Sequence, residues 1–564
     1  MIHLILNQIS QSRRSFSYLF GFVFGLPLLL LMINLWFPPA LYSDPACGFL
    51  VWKSWMNGAC FNCATEPSQM DLAQTVPVFI SWWSPGQYIF PAIFSIPFKF
   101  PLGVGVSLAV MIFSYLGIIG YYRLFRNLGF QETICLVSCL LIIGSKFFSL
   151  PFRIYNGGEV LLFGVMPWML LAVLKWVSQP NLRSSFILLS IFLAGVFLKL
   201  SFTVYFLAIC FFIWIRQTNF SELISKKSFL KAIWLAAVFV VGFLLLKYGY
   251  LNHGENPIAY EALSNKKTLW IFNFLFVLSS MFSAALNVSS LMEFILFRQG
   301  GASFEHLIHY PWLYAACLVV QVWIFWKILH HPDISREYRS LLYAFFVSTS
   351  MLFYGLIFRD VISYEERHFR LAATLLYPGM ILIGLGHPKG WVRWLFSLGF
   401  ILLMALGAGS YGIKLYRQWQ QPVVGREYTQ HLIMNEKLKQ AIHQVEEQYS
   451  QLENSLVVTP NAQAALEMPK SRKLTKFQFD FDKIHDFQIM RFHGKIKHLL
   501  LIVDKKFLGE EKGNEILKMF VEYDARQWNC QAVDMYAFCY QGEDASQFLS
   551  LMQTVDAEPT PSAG

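Results

Sequence analysis

Charged residues are scarce in this chain of 564 residues, because Asp, Glu, Lys and Arg together make up only 14% of it. A soluble protein of this size usually contains about 25%. Hydrophobic residues reach 55% and aromatic residues 17%. This composition excludes an ordinary soluble enzyme, a disordered protein and a small disulfide-stabilised protein. It predicts a polytopic α-helical membrane protein.

Acidic residues are the scarcer of the two charge types: 35 Asp and Glu stand against 45 Lys and Arg, a net charge of +10. In a membrane protein, an excess of Lys and Arg collects in the loops on the cytoplasmic side. The positive charge therefore indicates the basic loops of a membrane protein, and we expect no nucleic-acid partner.

Long apolar runs predict about eleven membrane spans. The run 184–215 is long enough to cross twice, and the first run is expected to be retained because it lacks a clear cleavage site. The segment 268–297 is apolar enough to form a hairpin, which would not change the sidedness. The predicted runs are 16–37, 101–122, 131–150, 158–178, 184–215, 232–250, 311–328, 340–358, 371–386 and 393–411.

Basic loops set the predicted orientation. The loop 216–231 is the most basic, and the positive-inside rule places it in the cytoplasm together with the N-terminus. The first loop (38–100), the segments 251–310 and 359–370, and the polar C-terminal region then lie outside an inner membrane. We predict three parts: a transmembrane domain over 1–411, an extracytoplasmic α/β domain over 412–555, and a disordered tail over 556–564.

The C-terminal region has the pattern of a small α/β domain. A polar helix is predicted over 427–452, buried strands near 456–460 and 498–504, and a further helix over 510–527. This region contains no phosphate-binding loop.

Nine cysteines are present. Four fall in predicted spans and are expected to be packing residues: Cys135, Cys139, Cys210 and Cys317. Cys530 and Cys539 are candidates for a disulfide in an oxidising compartment. Cys47 could pair with Cys60 or Cys63, and the sequence does not choose between them. The pair Cys60 and Cys63 has the spacing of a redox motif without the fold that accompanies it.

An acidic residue follows the first predicted span, in Tyr42-Ser43-Asp44-Pro45. A carboxylate at the membrane surface can act as a general base. On position alone, a helix-stop turn is the slightly better interpretation of Asp44, because Ser-Asp-Pro favours turns. Further along the same loop, Asp71 and the pair Trp82 and Trp83 are candidates for substrate binding, although a tryptophan near a membrane is more often an anchor.

Basic residues also occur on the outer side, where they are normally rare. Lys146, Arg153, Lys199 and Arg367 could together bind a lipid phosphate, and each alone could reach ordinary lipid headgroups. Glu159, at the mouth of a span, needs a partner such as Arg153 or Lys199. Tyr155, in the same loop, is a candidate for substrate binding.

The late loop 359–370 places carboxylates, guanidinium groups and an imidazole at the start of a helix. Its candidate substrate-binding residues are Glu366 and His368, beside the candidate phosphate-binding residue Arg367. An exposed charge cluster is usually just a solvated loop. Because this loop is short and lies between two spans, that interpretation is less favoured here.

Four features together resemble the GT-C superfamily of integral membrane glycosyltransferases, which includes the lipid A aminoarabinose transferases and the protein mannosyltransferases. They are Asp44 after the first span, the Trp-x-x-Pro-Gly run at 82–86, the segment 122–129, and Glu366-Arg367-His368-Phe369. The resemblance covers roughly residues 16–411. Two positions depart from the family pattern: Asp-Pro stands where many members have paired acidic residues, and His368 where Tyr is common.

The resemblance implies inverting transfer of a sugar from a polyprenyl phosphate or diphosphate at the outer face of the membrane. It implies Asp44 as the base and Arg367 as a ligand of the donor phosphate, whereas Lys146, Arg153 and Lys199 are added from their sidedness. No cofactor is expected; a divalent metal is not indicated, and the acceptor stays open. The alternatives are a catalytically inactive scaffold that binds a glycolipid, or a lipid or polysaccharide transporter.

Overall fold

The computed structural model describes residues 13–68, 71, 73–81, 83–177, 179–218, 225–254, 270–288, 311–358, 366–420, 423–431, 434–450, 452, 454–459, 461–471, 473–474, 496–505, 528–542 and 544–557. It is mostly helical. The helices are α1 (Arg13–Trp36), α2 (Ser43–Met56), α3 (Gly86–Ser95), α4 (Leu102–Asn127), α5 (Glu132–Gly144), α6 (Lys146–Ser149), α7 (Gly158–Trp176), α8 (Leu182–Leu198), α9 (Phe202–Arg216), α10 (Lys226–Gly249), α11 (Trp270–Leu286), α12 (Pro311–His330), α13 (Arg336–Phe358), α14 (Arg370–Thr374), α15 (Tyr377–Gly386), α16 (Gly390–Gln420), α17 (Glu436–Val445), α18 (Ala462–Leu466) and α19 (Ala545–Ala557).

Short strands lie between the helices, and longer ones form the C-terminal sheet. The strands are β1 (Ala40–Leu41), β2 (Cys63–Pro67), β3 (Thr75–Phe79), β4 (Ile154–Tyr155), β5 (Ser455–Val458), β6 (Lys473–Leu474), β7 (His498–Asp504), β8 (Asn529–Val533) and β9 (Tyr536–Gln541).

Six of the described helices are long and apolar enough to cross a membrane, and the number rises to eight if each of two bent helix pairs is one span. The predicted count of eleven is therefore not confirmed. The run 184–215 shows why, because it forms two helices, α8 of 17 residues and α9 of 15. At 1.5 Å per residue these are about 25 Å and 22 Å long, shorter than a hydrocarbon core of about 30 Å.

The segment 268–297 is only partly described. Its helix α11 packs against α12, α13 and the start of α14. Phe276, Ser279, Ser280 and Ser283 are fully buried on it. The described part is therefore one short helix inside the bundle, and the rest of the proposed hairpin lies outside the described residues.

The helical bundle has two distinct ends. At one, which we call the basic end, Arg216 Nη1 donates to the carbonyl of Leu174 (3.2 Å), and Arg336 Nη2 donates to the carbonyl of Thr218 (2.9 Å). The first loop and the C-terminal region lie at the other, which we call the tail end. This agrees with the relative sidedness of the predicted loops, while their orientation in a membrane remains a prediction.

A parallel strand pair fixes the chain at the tail end. β1 pairs with β4, so that Leu41 lies opposite Tyr155, and the Tyr42 N–H donates to the carbonyl of Tyr155 (3.1 Å). This pairing holds the start of α2 beside the segment that leads into α7.

In the described residues, the C-terminal sheet has five strands in the order β6-β5-β7-β9-β8, in which β5, β6 and β7 are parallel and β9 runs antiparallel to both of its neighbours. β7 is apolar from Leu499 to Val503 and buried along that length. Such a continuous apolar run suits a central strand covered on both faces. Helix α17 begins at Asn435, whose side chain accepts from the Leu438 N–H, later than the sequence predicted. The predicted helix 510–527 lies outside the described residues.

A linker hairpin, residues 423–431, joins the C-terminal region to the bundle. Its Glu427 forms an ion pair with Lys53 on α2 (Oε1 to Nζ, 2.5 Å), and its carbonyl accepts from the N–H of Gly103 (2.8 Å). The Tyr428 hydroxyl donates to the carbonyl of Leu35 (2.8 Å). The linker hairpin therefore contacts α1, α2 and α4 together.

The disulfides correct one prediction. Cys60 pairs with Cys63, and Cys530 with Cys539, while Cys47 is buried on α2. The expected pairing of Cys47 is wrong because Asn62 adopts a left-handed conformation (φ 59°), which turns the chain and brings Cys63 back to Cys60.

Candidate active site

Glu159 lies in the first turn of α7, where a helix N-terminus favours a carboxylate. The preceding Gly157 has a φ of 82°, which strongly favours glycine, and a side chain at Gly158 would collide with the Leu198 carbonyl. The two glycines therefore let α7 begin in direct contact with the end of α8.

Lys199 occupies the break between α8 and α9 in an extended conformation. Its ammonium group forms an ion pair with Glu159 Oε1, one of the two partners expected from the sequence. Because α8 and α9 are interrupted at this point, a basic residue from the middle of a long apolar run reaches the tail end of the bundle.

Arg367 approaches the same carboxylate from the late loop, with Nη1 3.7 Å from Glu159 Oε1. Its guanidinium carbon is 5.9 Å from the centre of the Tyr42 ring. The Glu159 side chain is 8% exposed, whereas those of Lys199 and Arg367 are 23% and 21% exposed. The two cations therefore lie closer to solvent than the carboxylate they share.

Arg370 is the most buried of the three cations that line the cavity around Glu159. It is buried, and its guanidinium carbon lies 5.9 Å and 5.4 Å from the ring centres of Phe147 and Phe163. It lines two cavities, one shared with Glu159, Lys199 and Arg367, and one lined mainly by aromatic and small side chains.

The cavity around Glu159 is small. Its described lining is Glu159, Leu162, Lys199, Ser201, Tyr205, Arg367, His368, Arg370 and Leu371, and it has room for about one water molecule. Three cations thus surround one carboxylate. Among the described residues, Glu159 Oε2 and His368 Nε2 are buried atoms without a hydrogen-bond partner.

Tyr205 is a lining residue that the sequence did not single out. Its hydroxyl donates to the backbone carbonyl of His368 and so attaches α9 to the late loop. In the sequence it is one aromatic residue within a long apolar run, where a packing role is the ordinary interpretation. Nothing in its immediate neighbours marks it.

Asp44 lies in the first turn of α2 and is half-buried, outside the lining of the cavity. It is two residues after Tyr42, whose ring lies beside Arg367. α18 packs against α2, and Gln463 Nε2 donates to the carbonyl of Leu41 (2.5 Å). The chain just before Asp44 therefore contacts the late loop through Tyr42 and the C-terminal region through Leu41.

Arg153 lies elsewhere. It is fully buried, with Nη1 2.8 Å from Gln418 Oε1 and Nη2 donating to Asn34 Oδ1 and to the carbonyl of Phe37. These contacts join the ends of α1 and α16. Because protein groups receive its hydrogen bonds, we leave Arg153 out of the proposed donor site.

Other predicted substrate-binding residues have structural contacts. Asp71 accepts from the Ala73 N–H (3.0 Å) and from Gln74 Nε2 (3.1 Å) in a local turn. The Trp83 carbonyl accepts from the Tyr250 hydroxyl (2.5 Å). Trp82 lies outside the described residues.

Tyr155, Glu366 and Lys146 also lie outside the cavity lining. Tyr155 donates through its hydroxyl to the carbonyl of Gln87, and Glu366 accepts from the Ser283 hydroxyl. Lys146 is half-buried at the start of α6. Within the described part of the chain, no group of three or more His, Cys, Asp and Glu side chains is arranged to hold a metal ion.

No family model matches the chain, and no curated protein matches its sequence. Solved structures of two proteins are among those similar to this chain. One is the archaeal oligosaccharyltransferase AglB from Archaeoglobus fulgidus, in complex with an inhibitory peptide and a dolichol-phosphate: 11% identity, TM-score 0.44, 92% of this chain and 74% of that chain covered.

The other is ArnT from Cupriavidus metallidurans. In the apo state it is 10% identical to this chain, with a TM-score of 0.44 and coverage of 93% of this chain and 98% of that one. Bound to undecaprenyl phosphate it is 12% identical, with the same TM-score and coverage of 94% and 98%.

Proposed function

We propose that this protein is a membrane glycosyltransferase that moves a sugar from a polyprenyl phosphate or diphosphate to a lipid, glycan or protein acceptor at the outer face of the membrane. The observation that carries the proposal is the cation cluster, Lys199, Arg367 and Arg370, gathered around the single carboxylate of Glu159 at the tail end. Among the described residues that line this cavity, three cations meet one carboxylate, and such an arrangement favours an anionic ligand. The motifs that resemble the GT-C superfamily support the same function.

The donor phosphate is bound by Arg367 and Lys199. The cavity itself is too small for a phosphate, so the phosphate lies at its mouth, where these two side chains are partly exposed. Glu159 holds both cations in position through its Oε1. When the bond to the sugar breaks, the cations stabilise the charge that develops on the leaving phosphate.

Asp44 is the proposed general base. It removes a proton from the acceptor as the acceptor attacks the anomeric carbon, and the lipid phosphate leaves from the opposite face, which inverts the configuration. Because the phosphate is already a good leaving group, the reaction needs no general acid of the kind used in glycoside hydrolysis. The position of Asp44 two residues after Tyr42, whose ring lies beside Arg367, supports this role.

Two variants separate chemistry from binding. In cells that lack the chain, we expect a lipid-linked sugar to accumulate, and the wild-type gene to clear it. Asp44→Asn should fail to clear it while the purified protein still binds undecaprenyl phosphate. Arg367→Gln should both fail in cells and bind the lipid at least tenfold more weakly. Lys175→Gln, a change at the basic end where Lys175 lies over Trp176, is the matched control and should behave as wild type.

The departures from the family pattern at Asp44 and His368 keep an inactive glycolipid-binding scaffold as the second candidate. The same variants decide between them. Normal clearance by Asp44→Asn, together with failure of Arg367→Gln, would support the scaffold and remove Asp44 as the base. Full function of both variants would refute the proposed site.

A further inference from the structure

Among the described residues, the lining of the cavity around Glu159 includes a carboxylate oxygen and an imidazole nitrogen that its contacts do not satisfy. Glu159 uses Oε1 for Lys199 and Arg367, while its Oε2 is buried and has no hydrogen-bond partner among the described residues. The same holds for Nε2 of His368, which lines the same cavity. A buried polar atom without a partner is costly, so an unfilled acceptor beside an imidazole nitrogen indicates a ligand group.

The hydrogen-bonding chemistry of Glu159 Oε2 and His368 Nε2 indicates which ligand group would bind there. An ionised carboxylate oxygen only accepts hydrogen bonds, so a phosphate oxygen at this point would be repelled by Glu159 Oε2. A hydroxyl group donates to the carboxylate and accepts from an imidazole N–H at the same time. The cavity has room for about one water molecule, which is also the space that one hydroxyl needs.

We propose that Glu159 Oε2 and His368 Nε2 bind a ring hydroxyl of the donor sugar and make the site selective for a sugar that carries it. The inference rests on the proposed function, because it takes the phosphate to be held by Arg367 and Lys199 at the mouth of the same cavity. A hydroxyl within reach of that phosphate belongs to the sugar attached to it, close to the anomeric carbon. His368 therefore has a substrate-recognition role at the position where the family commonly has Tyr.

The test compares lipids with and without a sugar. The purified full-length protein is titrated with undecaprenyl phosphate, with undecaprenyl-phosphate hexoses, and with their 2-deoxy analogues. For the wild type we expect at least one hexose lipid to bind tenfold or more tightly than the bare lipid, and its deoxy analogue to lose that gain. Hydrogen bonds to charged groups justify an effect of this order.

His368→Leu should abolish the gain in affinity that the sugar provides. Its affinity for bare undecaprenyl phosphate should stay within about twofold of the wild-type value. His368→Gln, which keeps a side-chain hydrogen-bonding group, should restore part of the gain. His331→Leu at the basic end is the control and should change neither affinity. Glu159→Gln should reduce the gain as well, since it replaces the ionised acceptor with an amide.

The outcomes that would refute the hydroxyl-binding pair differ from those that would refute the proposed function. If the sugar gain persists in both His368→Leu and Glu159→Gln, or if the deoxy lipids bind as well as their parents, the hydroxyl-binding pair is refuted while the phosphate site stands. If the protein binds no lipid phosphate, or if Arg367→Gln leaves that binding unchanged, the proposed function fails and this inference fails with it.

Discussion

Glu467 should hold the linker hairpin in place, and its replacement by Gln should release it. Glu467 is 1% exposed and accepts from His431 Nε2 (2.9 Å), His443 Nε2 (2.8 Å) and the N–H of Arg426 (3.1 Å). Burial opposes ionisation of this carboxyl, but the hydrogen bond and charge of His431, together with the hydrogen bonds from His443 and the Arg426 N–H, outweigh it and lower the pKa of Glu467 to about 2.

The magnitude follows from that pKa. A carboxyl whose pKa falls from 4.5 in the unfolded chain to about 2 contributes about 3 kcal/mol to stability. Because the folded pKa is the lower one, this contribution is complete above pH 4.5 and is lost as the pH falls toward 2. Glu467→Gln removes it at neutral pH, and at that pH a local opening should become roughly 100-fold more frequent.

Hydrogen–deuterium exchange measures this opening directly. In detergent at pH 7, the backbone amide of Arg426 should exchange roughly 100-fold faster in Glu467→Gln than in the wild type. Glu436→Gln is the matched control, because Glu436 forms an ion pair with Lys439 one turn along α17 and is 32% exposed. It should cost no more than about 0.5 kcal/mol. Equal exchange rates of the Arg426 amide in Glu467→Gln and Glu436→Gln would refute the reasoning. So would a wild-type protein whose linker hairpin does not lose stability as the pH is lowered from 4.5 to 2.

Two further predictions concern the tail end. Gly103→Ala should loosen the linker hairpin and lower the melting temperature, because the new Cβ would collide with the Tyr428 carbonyl. Gly21→Ala is the control and should change nothing, because Gly21 has open space around it. Similar melting curves for the two variants would contradict the close approach of Gly103 to Tyr428. Peptide mass spectrometry without reduction should recover Cys60 linked to Cys63, and a Cys47 linked to either of them would overturn the pairing.

Local features of the sequence predicted several elements well. The apolar runs at 456–458 and 499–503 form strands, because their continuous hydrophobicity suits a covered sheet. The pairing of Glu159 with Lys199 was one of two expected, since a carboxylate at the mouth of a span requires a cation.

Other features could not be predicted from local patterns. Arg153 has the same sequence context as a phosphate-binding cation, yet its partners, Asn34 and Gln418, come from the ends of two distant helices. The choice of Cys63 over Cys47 as the partner of Cys60 depended on the left-handed turn at Asn62. The first outcome depends on where segments far apart in the chain meet, and the second on a backbone conformation that the residue types alone do not fix.

The sequence by itself determined that this protein is a membrane protein with a polar C-terminal region, because hydrophobicity and charge act over each segment separately. The tertiary structure decided which charged groups meet. Glu159, Lys199 and Arg367 converge because glycines at 157 and 158 allow close packing at a break between helices. Such a contact depends on the packing of three separate segments, which no local pattern in the chain records.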